Sequence, residues 1–224
     1  MSGYLIGVQP LVLPGVYAPQ EDTALLAGAL SEEPLSPGAH VLDVGTGSGA
    51  LALAAARRGT RVTAVDVSWR AVYAARLNAW RERLPVRVRR GNLFDPVHGQ
   101  SFDLILTNPP YVPAPAGGQA PRGRARAWDA GRDGRLLLDR ICREAPGLLR
   151  PGGVLLMVHS ALSDPASTLT FLRTSGLKAS VTRRRRIPFG PVLRAREDWL
   201  RDRGLLSADE ENEELVVVRA ELPC

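Results

Sequence analysis

The stretch VLDVGTGSGALALAAARR, residues 41 to 58, joins a short apolar run to a glycine-rich turn and then to a helical pattern. Gly45, Gly47 and Gly49 allow a tight turn, because glycine adopts positive φ angles and lets the backbone approach a ligand closely. The helix that follows begins with free N–H groups. The stretch therefore predicts a buried strand, a ligand-binding turn and a helix.

Three more apolar runs are rich in Val, Leu and Ile, as expected of parallel strands that are buried on both faces. They are VTAVD (62–66), FDLILT (102–107) and VLLMVH (154–159), and a weaker strand is predicted for PVRVRR (85–90). Helical patterns lie between these runs. Alternating strands and helices predict a doubly wound α/β sheet.

Two of the helices have boundaries that the sequence predicts. Ser68 is a candidate N-cap for the helix of residues 68 to 83, because its hydroxyl can accept a hydrogen bond from a free N–H group. A second helix is predicted for GRLLLDRICREAPGLL (134–149), and the segment RPGG (150–153) is predicted to end it.

The C-terminal part has a different order of elements. LKASVTRRRR (177–186) and LVVVRAEL (215–222) are separated by a long excursion that contains IPFGP and an acidic stretch. Two strands joined in this way predict an antiparallel pair that closes the edge of the sheet.

The composition indicates one α/β domain, since 224 residues with 45% hydrophobic and 23% charged side chains are ordinary for a soluble globular protein. Cys142 and Cys224 are far apart in sequence and the three histidines are scattered, so a reducing cytoplasm is expected and no metal site is predicted. The N-terminus lacks the basic region of a signal peptide, and no apolar run approaches the length of a membrane span.

The net charge of +6 allows two interpretations. A basic surface could bind RNA, DNA or a ribosome-bound protein. Alternatively, the charge could reflect a GC-rich genome, since Lys178 is the only lysine and the other cationic side chains are arginine. The cluster Arg183, Arg184, Arg185 and Arg186 is more informative than the total charge.

The acidic residues beside the glycine turn distinguish between two cofactors. Asp66 ends the second predicted strand, where a carboxylate can bind both hydroxyls of a ribose, and this fits a nicotinamide cofactor or S-adenosylmethionine. Asp43 lies two residues before the first glycine, beneath the turn. A carboxylate there would repel a pyrophosphate and attract the ammonium group of a methionine moiety, so S-adenosylmethionine is favoured.

The stretch TNPPYVP, residues 107 to 113, follows the third apolar run. Pro109 and Pro110 cannot donate ladder hydrogen bonds, so the strand ends there. A plain strand-ending turn is one interpretation. The other is that rigid carbonyl groups are presented to a substrate at the carboxyl end of the sheet, where ligands of such sheets bind.

Several segments, in this order, resemble the class I S-adenosylmethionine-dependent methyltransferases of the HemK/PrmC protein-glutamine family. They are GVYAPQEDTALLAGAL (15–30), DVGTGSG (43–49), VTAVDVS (62–68), GNLF (91–94), FDLILTNPPY (102–111) and AWDAGRDGRLLLDRI (127–141). The first is similar to the opening of the family's short subgroup, and this resemblance implies a protein without the N-terminal helical bundle of bacterial release-factor methyltransferases.

The resemblance implies a seven-stranded Rossmann-like methyltransferase sheet with a C-terminal antiparallel strand pair. It implies a single domain over residues 1–224. Within it, residues 1–35 are expected to form an N-terminal lid and helix, and residues 36–160 the cofactor-binding core. Residues 161–224 are expected to form a substrate-side extension with the closing strands.

The resemblance also implies the residues of the site. Those expected to bind S-adenosylmethionine are Tyr17, Pro19, Thr23, Asp43, Gly45, Gly47, Gly49, Asp66, Val67, Asn92, Leu93 and Asn108. Those expected to be catalytic are Asn108, Pro109, Pro110 and Tyr111. Trp128 and Arg132 are expected to contact the substrate. The same is expected of Arg183, Arg184, Arg185 and Arg186, and there the reason is their clustered charge and not the resemblance.

Two residues depart from the family pattern. Asn92 stands where an acid usually binds the adenine amine, and its Oδ1 can still accept that hydrogen bond without the assistance of a charge. Ala130 replaces the first of two glycines after Trp128, and Gly131 matches the second.

The NPPY turn suits the methylation of a weak nitrogen nucleophile. A carboxamide or ring amine is weak because its lone pair is delocalised. Asn108 Oδ1 and the carbonyl of Pro109 can accept hydrogen bonds from its two N–H groups. They can also stabilise the positive charge that develops on nitrogen. Tyr111 can stack on a planar substrate group, and no general base is required before attack.

Two acceptors remain open at this stage. A glutamine side chain in a protein such as a peptide release factor is favoured, and an exocyclic amine of adenine, guanine or cytosine in RNA or DNA is the alternative. Arg122, Arg124 and Arg126 could follow phosphates in that case, but no separate RNA-binding module is visible and aromatic residues are few. A binding protein that no longer transfers methyl groups and a nicotinamide oxidoreductase are less favoured.

The resemblance implies one further partner. Related short enzymes in eukaryotes and archaea work with a small zinc-binding protein that covers an apolar edge, and a similar activator is expected here. No membrane contact is expected.

Overall fold

The computed structural model describes residues 9–115, 128–207 and 209–224. Arg122, Arg124 and Arg126, which are predicted to follow phosphates, lie outside these residues. The strands are β1 (His40–Val44), β2 (Arg61–Asp66), β3 (Val86–Arg90), β4 (Phe102–Thr107), β5 (Leu149–Ser160), β6 (Lys178–Pro188) and β7 (Asn212–Glu221). The α-helices are α1 (Glu21–Glu32), α2 (Ala50–Ala56), α3 (Trp69–Arg81), α4 (Leu138–Glu144), α5 (Pro165–Thr174), α6 (Pro191–Arg194) and α7 (Glu197–Asp202).

The strands form one sheet in the order β3-β2-β1-β4-β5-β7-β6. The first five strands in this order are parallel, and β7 runs antiparallel to both β5 and β6. The central strands carry Val, Leu and Ile side chains that are buried on both faces, as the apolar runs predicted. The predicted seven-stranded α/β sheet and its closing antiparallel pair are therefore confirmed.

The point where the strand order reverses lies between β1 and β4. β1 pairs with β2 on one side and with β4 on the other, so that Val44 lies opposite both Val65 and Thr107. Ligands of open α/β sheets bind outside the carboxyl ends of the strands at such a point. This register places the glycine turn beside the residues that follow β2 and β4.

One predicted helix boundary is confirmed and another is wrong. Ser68 precedes α3, and its side chain accepts a hydrogen bond from Ala71 N at 3.5 Å. The segment 150–153, which was expected to end a helix, lies inside β5, while α4 ends earlier, at Glu144. Pro146 follows soon after in a short 3₁₀ turn and has no N–H to continue the α-helical ladder.

The glycines of segment 150–153 form an irregularity in β5 where it pairs with β4. Gly152 has a φ of 74° and its N–H donates to Leu222 O at 2.8 Å. Leu222 N in turn donates to Gly153 O. The segment is therefore held by the C-terminal end of the chain, and glycine allows the bulge.

No helix in the described part of the chain is both long and apolar enough to span a membrane.

Substitution of Gly49 tests how tightly the glycine turn packs against α3. It has a φ of 88°, and a Cβ there would lie 3.2 Å from Cα and Cβ of Ala75 in α3. Gly38, the matched control, has a φ of 82° with nothing within 4 Å. Both alanine variants should lose stability through backbone strain, and Gly49→Ala should lose about 1–3 kcal/mol more through overpacking. Urea unfolding measures both values, and equal losses would contradict this packing.

Candidate active site

The glycine turn after β1 is held by the ends of the neighbouring strands. The N–H groups of Gly45 and Thr46 donate to Val65 O at 2.9 and 3.0 Å. A Cβ on Gly45, whose φ is 72°, would lie 4.0 Å from the carbonyl oxygen of Asn108. The turn and the start of the NPPY segment therefore form adjoining walls of one site.

Asp43 lies beneath this turn and is 1% exposed. Its Oδ2 accepts hydrogen bonds from Thr46 Oγ1 at 2.5 Å and from Ala52 N at 3.0 Å. Its Oδ1 is buried and has no hydrogen-bond partner within the described residues. Burial raises the pKa of this carboxyl to about 7, against the two hydrogen bonds, which lower it. A cationic group would satisfy Oδ1 and stabilise the carboxylate.

Asp66 ends β2 and shares the glycine turn. Its Oδ2 accepts from Gly47 N at 2.9 Å, and its Oδ1 accepts from Ser68 N at 2.8 Å. Burial raises the pKa of Asp66, while these backbone N–H groups lower it. The next residue, Val67, is exposed. The carboxylate is thus fixed in direction at the mouth of the site.

The segment after β3 lies beside Asp66. Gly91 N donates to the Asp66 backbone oxygen at 3.0 Å. Asn92 is exposed, and Leu93 is half-buried with a φ of 47°. Both residues therefore flank the Asp66 end of the site, as their assignment to the adenine side requires.

The NPPY segment is fixed at several points. The hydroxyl of Thr107 donates to Val44 O at 3.0 Å, and Asn108 Nδ2 donates to Thr23 Oγ1 at 3.3 Å. Pro109 is buried. The Tyr111 ring is mostly buried, and its hydroxyl donates to Asp22 Oδ2 at 3.2 Å. Burial, together with the nearby carboxylates, raises the pKa of Tyr111 well above its usual range.

The N-terminal segment covers the glycine turn. Asn78 of α3 bonds to both the N–H and the carbonyl of Leu11, and its Nδ2 also donates to Ser48 O at 2.9 Å. The carbonyl of Tyr17 would lie 3.9 Å from a Cβ on Gly47, and Pro19 is half-buried in the same segment. Sequence reasoning missed Asn78, because its partners are distant along the chain.

Two residues predicted to contact substrate lie in the segment after the NPPY turn. Trp128 packs against the hydrophobic core, and its carbonyl accepts from Val112 N at 2.8 Å, whereas Arg132 is exposed. Two residues after Arg132, the backbone approaches the site at Gly134, where a Cβ would lie 2.3 Å from Tyr111 O.

Sequence reasoning missed the buried Arg135, which is 7% exposed. Its guanidinium donates to the carbonyls of Ser163 and Asp164 at 2.5 and 2.7 Å and pairs with Asp139 at 2.7 Å. Ser163 Oγ donates to Tyr111 O at 2.7 Å. Arg135 therefore supports the backbone behind the NPPY turn.

The four consecutive arginines at 183–186 lie in β6, the edge strand. Arg183 and Arg185 pair with carboxylates at the two ends of α1, and Arg184 pairs with a carboxylate of β7. Arg186 is exposed and has no ion-pair partner within the described residues. Their predicted contact with a macromolecular acceptor remains a prediction.

The sheet, the buried carboxylate under a glycine turn, the acid at the end of β2 and the NPPY segment after β4 together define a class I methyltransferase. Residues 9–119 match the family model described as "Methyltransferase small domain". A putative protein N5-glutamine methyltransferase of Methanocaldococcus jannaschii is 34% identical over 188 residues, which cover 84% of this chain and 93% of that relative. The chain belongs to the HemK/PrmC family of S-adenosylmethionine-dependent methyltransferases.

A second relative supports this family, and a solved structure shares the fold. A release factor glutamine methyltransferase of Gloeobacter violaceus is 38% identical over 188 residues, and the match spans 77% of this chain and 66% of that relative. A chain of the E. cuniculi Mtq2–Trm112 complex, which is responsible for the methylation of the eRF1 translation termination factor, has a TM-score of 0.64 at 23% identity. That comparison covers 92% of this chain and 98% of the other, and it shows the shared fold.

The pKa of Asp43 predicts a pH dependence of stability. Between the ordinary value of 3.8 and about 7, the folded chain holds a proton that the unfolded chain has released, so stability falls as pH rises through this range. Glu213, whose pKa burial also raises to about 7, acts in the same direction. Asp43→Asn should reduce the slope of the unfolding free energy against pH by up to about 1.4 kcal/mol per pH unit.

Denaturant unfolding at several pH values between about 5 and 7 measures this slope. Asp103→Asn is the matched control. Burial, the largest single influence, raises the pKa of the Asp103 carboxyl, but the hydrogen bonds from the His40 N–H and Arg150 and the charge of Arg150 together hold it below its ordinary value. That control should leave the slope unchanged in this range. A slope that Asp43→Asn does not alter would show that Asp43 is ionised in the folded protein.

Proposed function

We propose that this protein transfers the methyl group of S-adenosylmethionine to the side-chain amide of a glutamine in a peptide chain release factor. The observation that carries the proposal is the NPPY turn at the carboxyl end of β4. There, Asn108 Nδ2 is occupied by Thr23 and Asn108 Oδ1 remains available for a substrate N–H. The names of the relatives support a glutamine acceptor.

The residues around the glycine turn fit the cofactor. Asp43 Oδ1 is a buried oxygen without a partner in the described chain, and it suits the ammonium group of the methionine moiety. Asp66 would hold the ribose hydroxyls, while Asn92 and Leu93 would contact the adenine. S-adenosylmethionine supplies a methyl group on a positively charged sulfur. Asp43 and Asp66 border the glycine turn, and Asn92 and Leu93 lie beside Asp66, so all four suit one bound cofactor.

The acceptor amide needs orientation more than it needs a base. Asn108 Oδ1 and the carbonyl of Pro109 would accept hydrogen bonds from its two N–H groups. These two bonds would aim the nitrogen lone pair at the methyl carbon. The same two oxygens stabilise the positive charge that grows on nitrogen as the carbon–sulfur bond breaks. The nitrogen then releases a proton to water. Proline suits this position because it has no N–H to compete with the acceptor and its ring holds the carbonyl rigidly.

Labelled S-adenosylmethionine, offered in parallel with release factor, ribosomal RNA and DNA, tests the proposal. We expect the label on a glutamine of the release factor. Asn108→Ala should lower the rate by about a hundredfold or more, because one preorganised acceptor is lost. Asn212→Ala, at an exposed asparagine that begins β7, is the matched control and should turn over normally.

Each other outcome has a defined meaning. Label on RNA or DNA and none on protein would replace glutamine by a nucleobase amine as the acceptor. Cofactor binding without transfer to any of the three would indicate a binding protein. Normal turnover by Asn108→Ala would reduce NPPY to a strand-ending turn.

An exposed apolar face also lies on this chain. α3 exposes Trp69, Tyr73, Leu77 and Trp80, which recur at helical spacing on one face, and Trp80 is 75% exposed. The helix packs beside β3, whose outer edge pairs with no described strand. Exposed apolar faces of this kind mark protein contacts. We propose that a small zinc-binding activator protein covers this face.

The charge around this face indicates the chemistry of such a partner. Arg87, Arg89 and Arg90 of β3 are all exposed, and the Arg90 guanidinium lies 4.7 Å from the ring centroid of Trp69. An acidic strand could pair with the free edge of β3 while apolar side chains cover the tryptophans.

The double variant Tyr73→Ser and Trp80→Ser tests the activator proposal. The chain should form a heterodimer with the activator from its own organism when the two are produced together, as measured by size exclusion with light scattering. The double variant should remain separate, because the apolar contact is lost. Phe171→Ser, which alters an exposed ring on α5, is the matched control and should still form the heterodimer. A wild-type chain that stays free beside the activator would refute the proposal.

A further inference from the structure

A chain of hydrogen bonds runs from the buried carboxylate of Asp22 to the side chain of Asn108. Asp22 is 4% exposed and lies in the first turn of α1. Its oxygens accept four hydrogen bonds, from Thr23 N at 2.5 Å, Thr23 Oγ1 at 3.1 Å, Tyr17 OH at 2.7 Å and Tyr111 OH at 3.2 Å. A carboxylate has about four acceptor positions and no donor, so its capacity is used fully.

The direction of each of these hydrogen bonds follows from which groups can donate and which can only accept. Because the Asp22 carboxylate only accepts, the Thr23 hydroxyl donates its single hydrogen to it. The lone pairs of Thr23 Oγ1 are then left to accept from Asn108 Nδ2 at 3.3 Å. If the Asn108 amide turned over, its oxygen would face those lone pairs and would find no donor. The chain therefore selects one orientation of the Asn108 amide, with Oδ1 on the side away from Thr23.

The same carboxylate reaches the other end of the NPPY segment. Tyr111 OH donates to the oxygen of Asp22 that also accepts from Tyr17, while Thr23 bonds to the other oxygen. Asn108, through Thr23, and Tyr111, directly, are thus both held by hydrogen bonds to the Asp22 carboxylate on α1. Small movements of that group would displace both ends of the segment together.

We infer that Asp22 and Thr23 are positioning residues for methyl transfer, which act by holding the Asn108 amide with its oxygen towards the acceptor nitrogen. The inference rests on the proposed transfer to an amide or amine that carries two N–H bonds. With the opposite orientation, Asn108 would present N–H groups to the N–H groups of the acceptor. These donors would repel the acceptor nitrogen at the position where Asn108 has to orient it.

This role differs from the contact with the cofactor that the family resemblance predicts for Thr23. A residue that binds the cofactor alters its dissociation constant. A residue that orients Asn108 alters the rate constant of transfer and leaves that dissociation constant in place.

Thr23→Val tests the inference, since valine has nearly the same shape and lacks the hydroxyl. We expect kcat to fall by about tenfold to a hundredfold, because the amide of Asn108 is free to turn over. The dissociation constant of S-adenosylmethionine, measured by calorimetry, should not change by more than about twofold. Thr23→Ser restores the hydroxyl and should recover most of kcat.

Thr60→Val is the matched control for the loss of a buried threonine hydroxyl. Thr60 is 3% exposed and donates to Ala55 O at 2.8 Å, away from the site. It should lower the melting temperature about as much as Thr23→Val does and leave kcat unchanged. A kcat for Thr23→Val equal to that of Thr60→Val would overturn the inference, as would a loss confined to cofactor affinity.

The wild-type enzyme tests the proposed function separately from the inference about Asp22 and Thr23. A wild-type enzyme that places no label on glutamine refutes that acceptor. The same variants are then compared on whichever nucleic acid takes the label, because an exocyclic amine also presents two N–H bonds. On that nucleic acid, a lower kcat for Thr23→Val than for Thr60→Val would support the inference, and equal values would overturn it.

Discussion

The parallel pairing of β1 with β4 is the constraint on which the site depends. It sets Val44 opposite Thr107, and the Thr107 hydroxyl donates to the Val44 carbonyl at 3.0 Å. The glycine turn and the NPPY segment then leave the sheet side by side. A shift of one residue would reverse the direction of every side chain in β4 and move Asn108 away from the turn. The close packing of the buried side chains on both faces opposes such a shift, because side chains of different shape would have to exchange places.

Buried carboxylates are the main electrostatic cost of this arrangement. Asp43 and Glu213 each retain an oxygen without a hydrogen-bond partner in the described chain, and burial raises the pKa of both to about 7. Asp22 instead has donors on both oxygens. A buried polar group without a partner is costly, and such groups gather at functional sites. Under the proposed function, the free oxygen of Asp43 would bind the ammonium group of the cofactor, and this role would explain its cost.

The sequence predicted the features that depend on neighbouring residues and missed those that depend on distant ones. The strands around the NPPY segment and the Ser68 cap follow from local patterns of apolar and polar residues. The segment 150–153 was misassigned because its partner is Leu222, far along the chain. For the same reason, the buried Arg135 was overlooked in favour of the exposed Arg132. Hydrogen bonds between residues that are distant in sequence do not affect the local spacing of apolar and polar residues, so that spacing cannot predict them.

The arginines of β6 connect these observations. Exposed ion pairs contribute about 0–1 kcal/mol each to stability, so their number explains little of the fold. Their positions are more informative, since Arg185 pairs with Glu21 at the start of α1, and Arg183 bonds to Gly28 O and pairs with Glu32 near its end. α1 is thereby fastened along its length to the edge strand. Its first turn holds the carboxylate to which both ends of the NPPY segment are tied. We therefore expect the contacts of the basic strand with this helix to help hold the Asn108 amide in place.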